Sequence, residues 1–158
     1  MILEVSMGGG IISRSPDIIL SRGLGSCVAV TIYDSRNKTG GLSHIMMPDS
    51  LRHASCDVPC RYADTAIAYL LEGLEAESVE KKSLVAKIVG GAQMFKKPDQ
   101  INTGIGAQNI AAVKILLQQE KIPVVGEDTG GCVGRSVEFD LEYGKLTVIM
   151  LGGIRRSV

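Results

Sequence analysis

The sequence carries no excess of charge of either sign: Lys+Arg and Asp+Glu both number 17 in 158 residues. Nucleic-acid binders neutralise phosphates with a basic surplus, so neither nucleic acid nor an anionic lipid surface is expected as a partner. No stretch approaches the roughly 18 consecutive apolar residues of a membrane span, and membrane insertion is not expected. The opening MILEVSMGGGIISR lacks the basic region followed by a continuous apolar run that marks a secretory signal. Four cysteines are too few to staple a domain of this length with disulfides. These absences leave a cytoplasmic protein with free thiols, one domain over residues 1–158, long enough to bury a core of its own.

Tryptophan is missing and phenylalanine occurs twice, whereas glycine reaches 19. Glycine doublets at Gly40-Gly41, Gly90-Gly91, Gly130-Gly131 and Gly152-Gly153 imply tight turns and close backbone approaches. Between them, Val28–Tyr33 is rich in β-branched residues and reads as a strand buried on both faces. A connection over 34–41 then leads to a second strand, Leu42–Met47, ended by Pro48. Apolar residues at Tyr62, Ala63, Ala66, Ile67, Leu70, Leu71 and Leu74 form the stripe of an amphipathic helix over 61–76. A short strand over 84–89, a helix over 107–120 and a strand over 122–125 follow. A terminal hairpin, 137–141 and 145–150, turns at Tyr143-Gly144. About seven strands and two helices in this order favour an α/β arrangement of mixed or antiparallel sheets, with the helices on one side.

Residues 21–30 read SRGLGSCVAV, and GGLSHIMMP follows at 40–48. Cys27 thus stands at the start of one strand and His44 within its neighbour. An imidazole can take a thiol proton and later deliver one to a leaving amine. The backbone amides of Ser26 and Cys27 can donate to an oxyanion. Ser21, Ser43 and Asp49 are candidates for the group that orients the histidine, and spacing does not choose among them. The alternative is a buried structural thiol beside a core histidine, since free cysteines are among the most buried residues.

LGSCVAVTIYD and GGLSHIMMP, then RYADTAIAYLL, AKIVGGAQMF, IGAQN and DTGGCVGRSVEF, resemble in order the blocks of the CheD family, chemoreceptor glutamine deamidases of bacterial and archaeal chemotaxis. The resemblance runs from about Gly8 to Met150. It implies a three-layer α/β sandwich with mixed sheets and two main helices, similar to the catalytic domain of the cytotoxic necrotizing factor toxins. It also implies Cys27 as nucleophile, His44 as base and Ser21 at a third position that usually carries threonine. Gln108 stands where the pattern has arginine. The implied reaction converts chosen glutamines of chemoreceptor cytoplasmic helices to glutamate through a thioester, with no metal or organic cofactor. The implied partner, besides receptor, is CheC, a CheY-phosphate phosphatase. A non-catalytic CheC-binding adaptor and, more distantly, a cysteine peptidase are the alternatives.

His53, Cys56 and Cys60 form H-x-x-C-x-x-x-C. Structural zinc takes four ligands, and only Asp57 or distant Cys132 is available as a fourth, so these read as ordinary loop residues and no metal site is expected. The Gly90 and Gly130 clusters match neither a P-loop nor a dinucleotide fingerprint and read as turns. Cys132 has no histidine after it in the chain, which makes it a poorer nucleophile than Cys27.

Overall fold

The structure, a computed structural model, describes residues 1–51, 57–95 and 104–158. In these residues the chain forms strands β1 (Ile2–Val5), β2 (Gly10–Arg14), β3 (Ile18–Leu24), β4 (Val28–Asp34) and β5 (Thr39–Ile45), then helix α1 (Ala63–Ala76). Strand β6 (Val85–Gly90), helix α2 (Ile105–Gln119) and strands β7 (Val124–Thr129), β8 (Arg135–Asp140), β9 (Lys145–Met150) and β10 (Arg155–Ser157) complete it. The strands form two five-stranded sheets, ordered β1-β3-β8-β9-β10 and β2-β5-β4-β6-β7. Both are mixed: β1 runs parallel to β3 and β6 parallel to β7, while the other neighbours are antiparallel.

Two cores define three layers. Val28, Val30, Ile32 and Ile45 pack against Ala63, Ala66, Ile67, Leu70 and Leu74 of α1 and Val113 and Leu117 of α2. The other face of the same sheet, through Ala29, Tyr33, Leu42 and Val89, packs against Ile19, Val137, Phe139 and Val148 of the second sheet. Strand β4 is therefore buried along its whole length, as its β-branched run predicts: alternate side chains serve different cores. Across the inter-sheet layer, Tyr33 meets Phe139 edge-on at 5.7 Å, and its hydroxyl donates to the Leu141 carbonyl at 2.8 Å.

The three-layer α/β architecture, both helices and the terminal hairpin agree with the sequence reading. The strand count does not: among the described residues ten strands stand against about seven expected. The additional ones include β1, β2 and β3 at the amino end; β1 pairs with β3, β2 with β5, and β3 also with β8. Gly40 and Gly41 also lie inside β5, paired with Tyr33 and Ile32, rather than in the connection. A Cβ on Gly40 would stand 2.8 Å from the Ile32 carbonyl oxygen, and one on Gly41 2.7 Å from a Leu70 methyl. Glycine is used there because neighbours fill the side-chain space, not because the chain turns. Among the described residues no helix is long and apolar enough to cross a membrane.

Candidate active site

Strand alternation places the candidate residues. In β5, Leu42 faces the inter-sheet core, so His44, two residues on, shares that face; Ser43 and Ile45 face the helices. In β3, Ile19 faces the same inter-sheet core, and Ser21 follows it at the same spacing. The two side chains meet between the sheets: Ser21 Oγ lies 2.9 Å from His44 Nδ1, and both residues are fully buried. Ser43 therefore points away from the histidine. Asp49 is spent locally, its carboxylate accepting the Leu51 N–H at 3.1 Å. Of the three candidate orienting groups, the fold brings only Ser21 to His44.

Ser21 has one hydroxyl proton, and where it goes sets the tautomer of the ring. Its hydroxyl donates to the Val5 carbonyl at 3.2 Å, which uses its one proton. Oγ then accepts from His44 Nδ1–H, leaving Nε2 as the unprotonated nitrogen. Nε2 is buried and has no hydrogen-bond partner among the described residues. Burial holds the imidazole below its ordinary pKa, so at neutral pH it is an uncharged base with a free lone pair.

Cys27 occupies the bend between β3 and β4, one residue before the strand begins. His44 pairs with Ala29 across β4 and β5, and Cys27, two residues before Ala29, packs against the same inter-sheet core. It is half-buried, unlike the fully enclosed Cys60. Burial pushes its thiol up, while its own backbone N–H, directed at the sulfur, pulls the other way. The resting pair is thus a neutral thiol and a neutral imidazole.

Backbone bonds hold the bend. The Cys27 carbonyl accepts Gly91 N–H and the Gly25 carbonyl accepts Ala92 N–H, both at 2.8 Å. Gly90, at φ +112°, passes so close that a Cβ would stand 2.4 Å from the Cys27 carbonyl oxygen. Behind it, Arg135 donates to the carbonyls of Gly90 at 3.2 Å and Gly130 at 2.7 Å. Its guanidinium also lies 3.2 Å from Asp128, both side chains being buried. The glycine clusters differ from the turns expected: Gly90 is the last residue of β6 and Gly91 follows it, while Gly130 and Gly131 lie in the β7–β8 connection, and their placement braces the Cys27 bend.

The sequence reading missed Asn109. On α2 the buried stripe is Gly106, Asn109, Val113 and Leu117, and a polar residue in the apolar phase of a helix was the available signal. Its Nδ2 donates to the carbonyls of Ser26 at 3.0 Å and Met46 at 3.1 Å. Gln108 beside it is exposed on the helix. Cys60 sits in the helix-side core with its thiol pushed up to about 12 by burial, a protonated packing residue. His53 and Cys56 lie outside the described residues. Cys132 is exposed on the β7–β8 connection.

Ser21 and His44 thus meet between the two stacked sheets, and Cys27 stands half-buried on the same inter-sheet core at the start of β4. Comparison with known proteins gives the family. The model of the family described as "CheD chemotactic sensory transduction" matches residues 46–150. A probable chemoreceptor glutamine deamidase CheD of Clostridium botulinum is 45% identical over 139 residues, covering 87% of this chain and 86% of its own. The chemoreceptor glutamine deamidase CheD of Thermotoga maritima is 42% identical over 149 residues, 94% of this chain and 92% of its own. A probable chemoreceptor glutamine deamidase CheD of Caldanaerobacter subterraneus is 42% identical over 96% of this chain and 94% of its own. The chain belongs to the CheD family. Among solved structures, Bacillus licheniformis hypothetical protein YfiH is similar at a TM-score of 0.49 and 16% identity; 84% of this chain aligns, spanning 60% of that one.

Proposed function

We propose that this protein hydrolyses the side-chain amide of selected glutamines in chemoreceptors, with Cys27 as nucleophile, His44 as general base and acid, and Ser21 orienting the ring. His44 Nε2 takes the Cys27 proton as sulfur attacks the glutamine Cδ. The negative charge that develops on the amide oxygen is met by backbone N–H groups of Cys27 and Ser26. The imidazolium returns the proton to nitrogen, ammonia leaves and a thioester remains. Nε2 then activates water, which adds to the thioester carbon; the thiol departs, reprotonated, and glutamate is released. The step consumes one water per amide and needs no metal or redox partner.

One observation carries this reading: the buried imidazole of His44 spends Nδ1 on Ser21 and keeps Nε2 unpartnered. A histidine serving only to fill a core would leave no such nitrogen, because an unpaired buried acceptor costs about 1–3 kcal/mol. Family membership and the names of the relatives support the substrate, whose modified helices would be reached from the cytoplasm. CheC is proposed as a second partner, and loss of association in a pull-down at high concentration would remove it.

The test is a mass spectrum of a receptor cytoplasmic fragment incubated with wild type and with Cys27→Ala. Conversion of glutamine to glutamate by wild type alone is expected. An unchanged fragment would indicate an adaptor, a cleaved one a peptidase, and equal conversion by both proteins would sink the assignment of Cys27.

A further inference from the structure

We propose that Asn109 is a positioning residue for this reaction: through Ser26 and Met46 it sets the direction of the Cys27 N–H and locks the nucleophile segment against the base segment. The proposal rests on Cys27 being the nucleophile. Each hydrogen of the Asn109 amide is used, one on the Ser26 carbonyl at 3.0 Å and one on the Met46 carbonyl at 3.1 Å. The orientation of the amide follows from its surroundings, since a flipped group would set Oδ1 against two carbonyl oxygens.

The consequence at Cys27 follows from peptide geometry. The Ser26 C=O and the Cys27 N–H belong to one planar trans unit and point in opposite directions. Drawing the Ser26 oxygen toward α2 therefore turns the Cys27 N–H away from α2, and that N–H is directed at the Cys27 sulfur. On the other side, Gly91 N–H holds the Cys27 carbonyl at 2.8 Å. Both peptide planes flanking the nucleophile are thereby pinned, one by a side chain and one by backbone. Met46 lies two residues beyond His44 on the segment leaving β5, so the same amide also ties the two strands' ends together.

Asn109 holds this place at a cost. It is fully buried, its Oδ1 has no hydrogen-bond partner among the described residues, and the rest of its helical stripe is glycine and aliphatic. A buried unpaired acceptor is destabilising, and a polar group kept under that penalty marks a constraint other than packing.

Asn109→Ala, Asn109→Ser and Asn109→Asp, made in the full chain, test it. Two readouts are taken: steady-state deamidation, and the pH dependence of iodoacetamide alkylation measured on the Cys27 peptide by mass spectrometry. Misplacement of a reacting group by about 1 Å costs about 10²-fold, so Asn109→Ala should lower kcat by that order with KM within about two-fold. Its Cys27 should also alkylate only at higher pH, having lost N–H support for the thiolate. Asn109→Ser, with one donor, should fall between, and serves if the alanine variant does not fold. Asn109→Asp, which sets carboxylate oxygens against the two carbonyls it should bond, should fall at least as far as Asn109→Ala at neutral pH. Wild-type kcat and a wild-type alkylation profile in folded Asn109→Ala or Asn109→Ser would overturn the proposal. If wild type converts no glutamine, the deamidase reading fails, and the alkylation profile alone decides the positioning role.

Discussion

Replacing Ser21 by alanine removes one oxygen and changes the state of a ring on the opposite sheet. Two interactions vanish together: the hydroxyl donated to the Val5 carbonyl at 3.2 Å and the acceptor 2.9 Å from His44 Nδ1. Both are fully enclosed, since Ser21 and His44 have no exposed surface, so water does not replace them. Leaving a buried donor unpaired costs about 1–3 kcal/mol. At about 2–4 °C per kcal/mol for a domain of this size, the melt should drop by roughly 2–12 °C. A domain stable by about 5–15 kcal/mol still folds after that loss, so activity can be read. Without the Ser21 oxygen nothing holds the proton on Nδ1, and in the other tautomer Nε2 carries the hydrogen and cannot accept one. The general-base contribution is about 10²–10⁴-fold, and kcat should fall by at least the lower figure while KM stays near wild type. Ser21→Thr, which keeps the oxygen, should retain most of kcat. Ammonia release from a receptor fragment and thermal melts by circular dichroism supply both numbers. A Ser21→Ala protein with lowered melting temperature but wild-type kcat would show that Ser21 only packs and that the tautomer argument is wrong.

The pH profile of kcat/KM follows from the two shifts. Burial keeps the His44 imidazole below, and the Cys27 thiol above, their ordinary values of about 6.5 and 8.5. In the proposed mechanism the neutral pair is the reactive form and fills the interval between, so the profile should be level across neutrality, falling only below about pH 6.5 and above about pH 8.5; a narrow acidic bell would instead indicate a resting thiolate–imidazolium pair. In stability the sign runs the same way at acid pH. The unfolded chain takes a proton on His44 that the folded chain resists, so this residue's contribution is intact above about pH 6.5 and is lost as pH falls through the folded value. Gly90→Ala would put a Cβ 2.4 Å from the Cys27 carbonyl oxygen at φ +112°. It should cost more than about 1 kcal/mol and lower kcat by moving Cys27; wild-type melting and turnover would contradict the close approach. Cys132, exposed, should react with a thiol reagent at once, whereas Cys60, enclosed with its thiol pushed up to about 12, should react only on unfolding. Equal rates in the native protein would refute its burial.

What the sequence disclosed depended on how local the cause was. The pairing of β4 with β5 and the stripe of α1 follow from neighbours in the chain, and both were readable. Strand β3 was not: its hydrogen-bonded partners are β1 and β8, and β8 lies near the other end of the chain. Ser21 sits on that strand, so its role entered through family resemblance and not through spacing. Only the alternation of β3 and β5 about a shared core chooses it over Ser43 and Asp49. Asn109 could not be assigned because its two acceptors come from segments far away in sequence, although a lone polar residue in a buried helical phase marked the position.

The Ser21–His44 hydrogen bond joins strands from different sheets, which gives the site a history as well as a shape. Either sheet formed alone holds half of the pair. A partly folded chain, even one with the β4–β5 hairpin complete, would carry an ordinary cysteine and an undirected imidazole. Reactivity would then appear only when the sheets close on one another. During refolding, turnover should lag behind the far-ultraviolet signal of secondary structure and coincide with burial of Tyr33, which makes the reaction itself a clock for the last step of assembly.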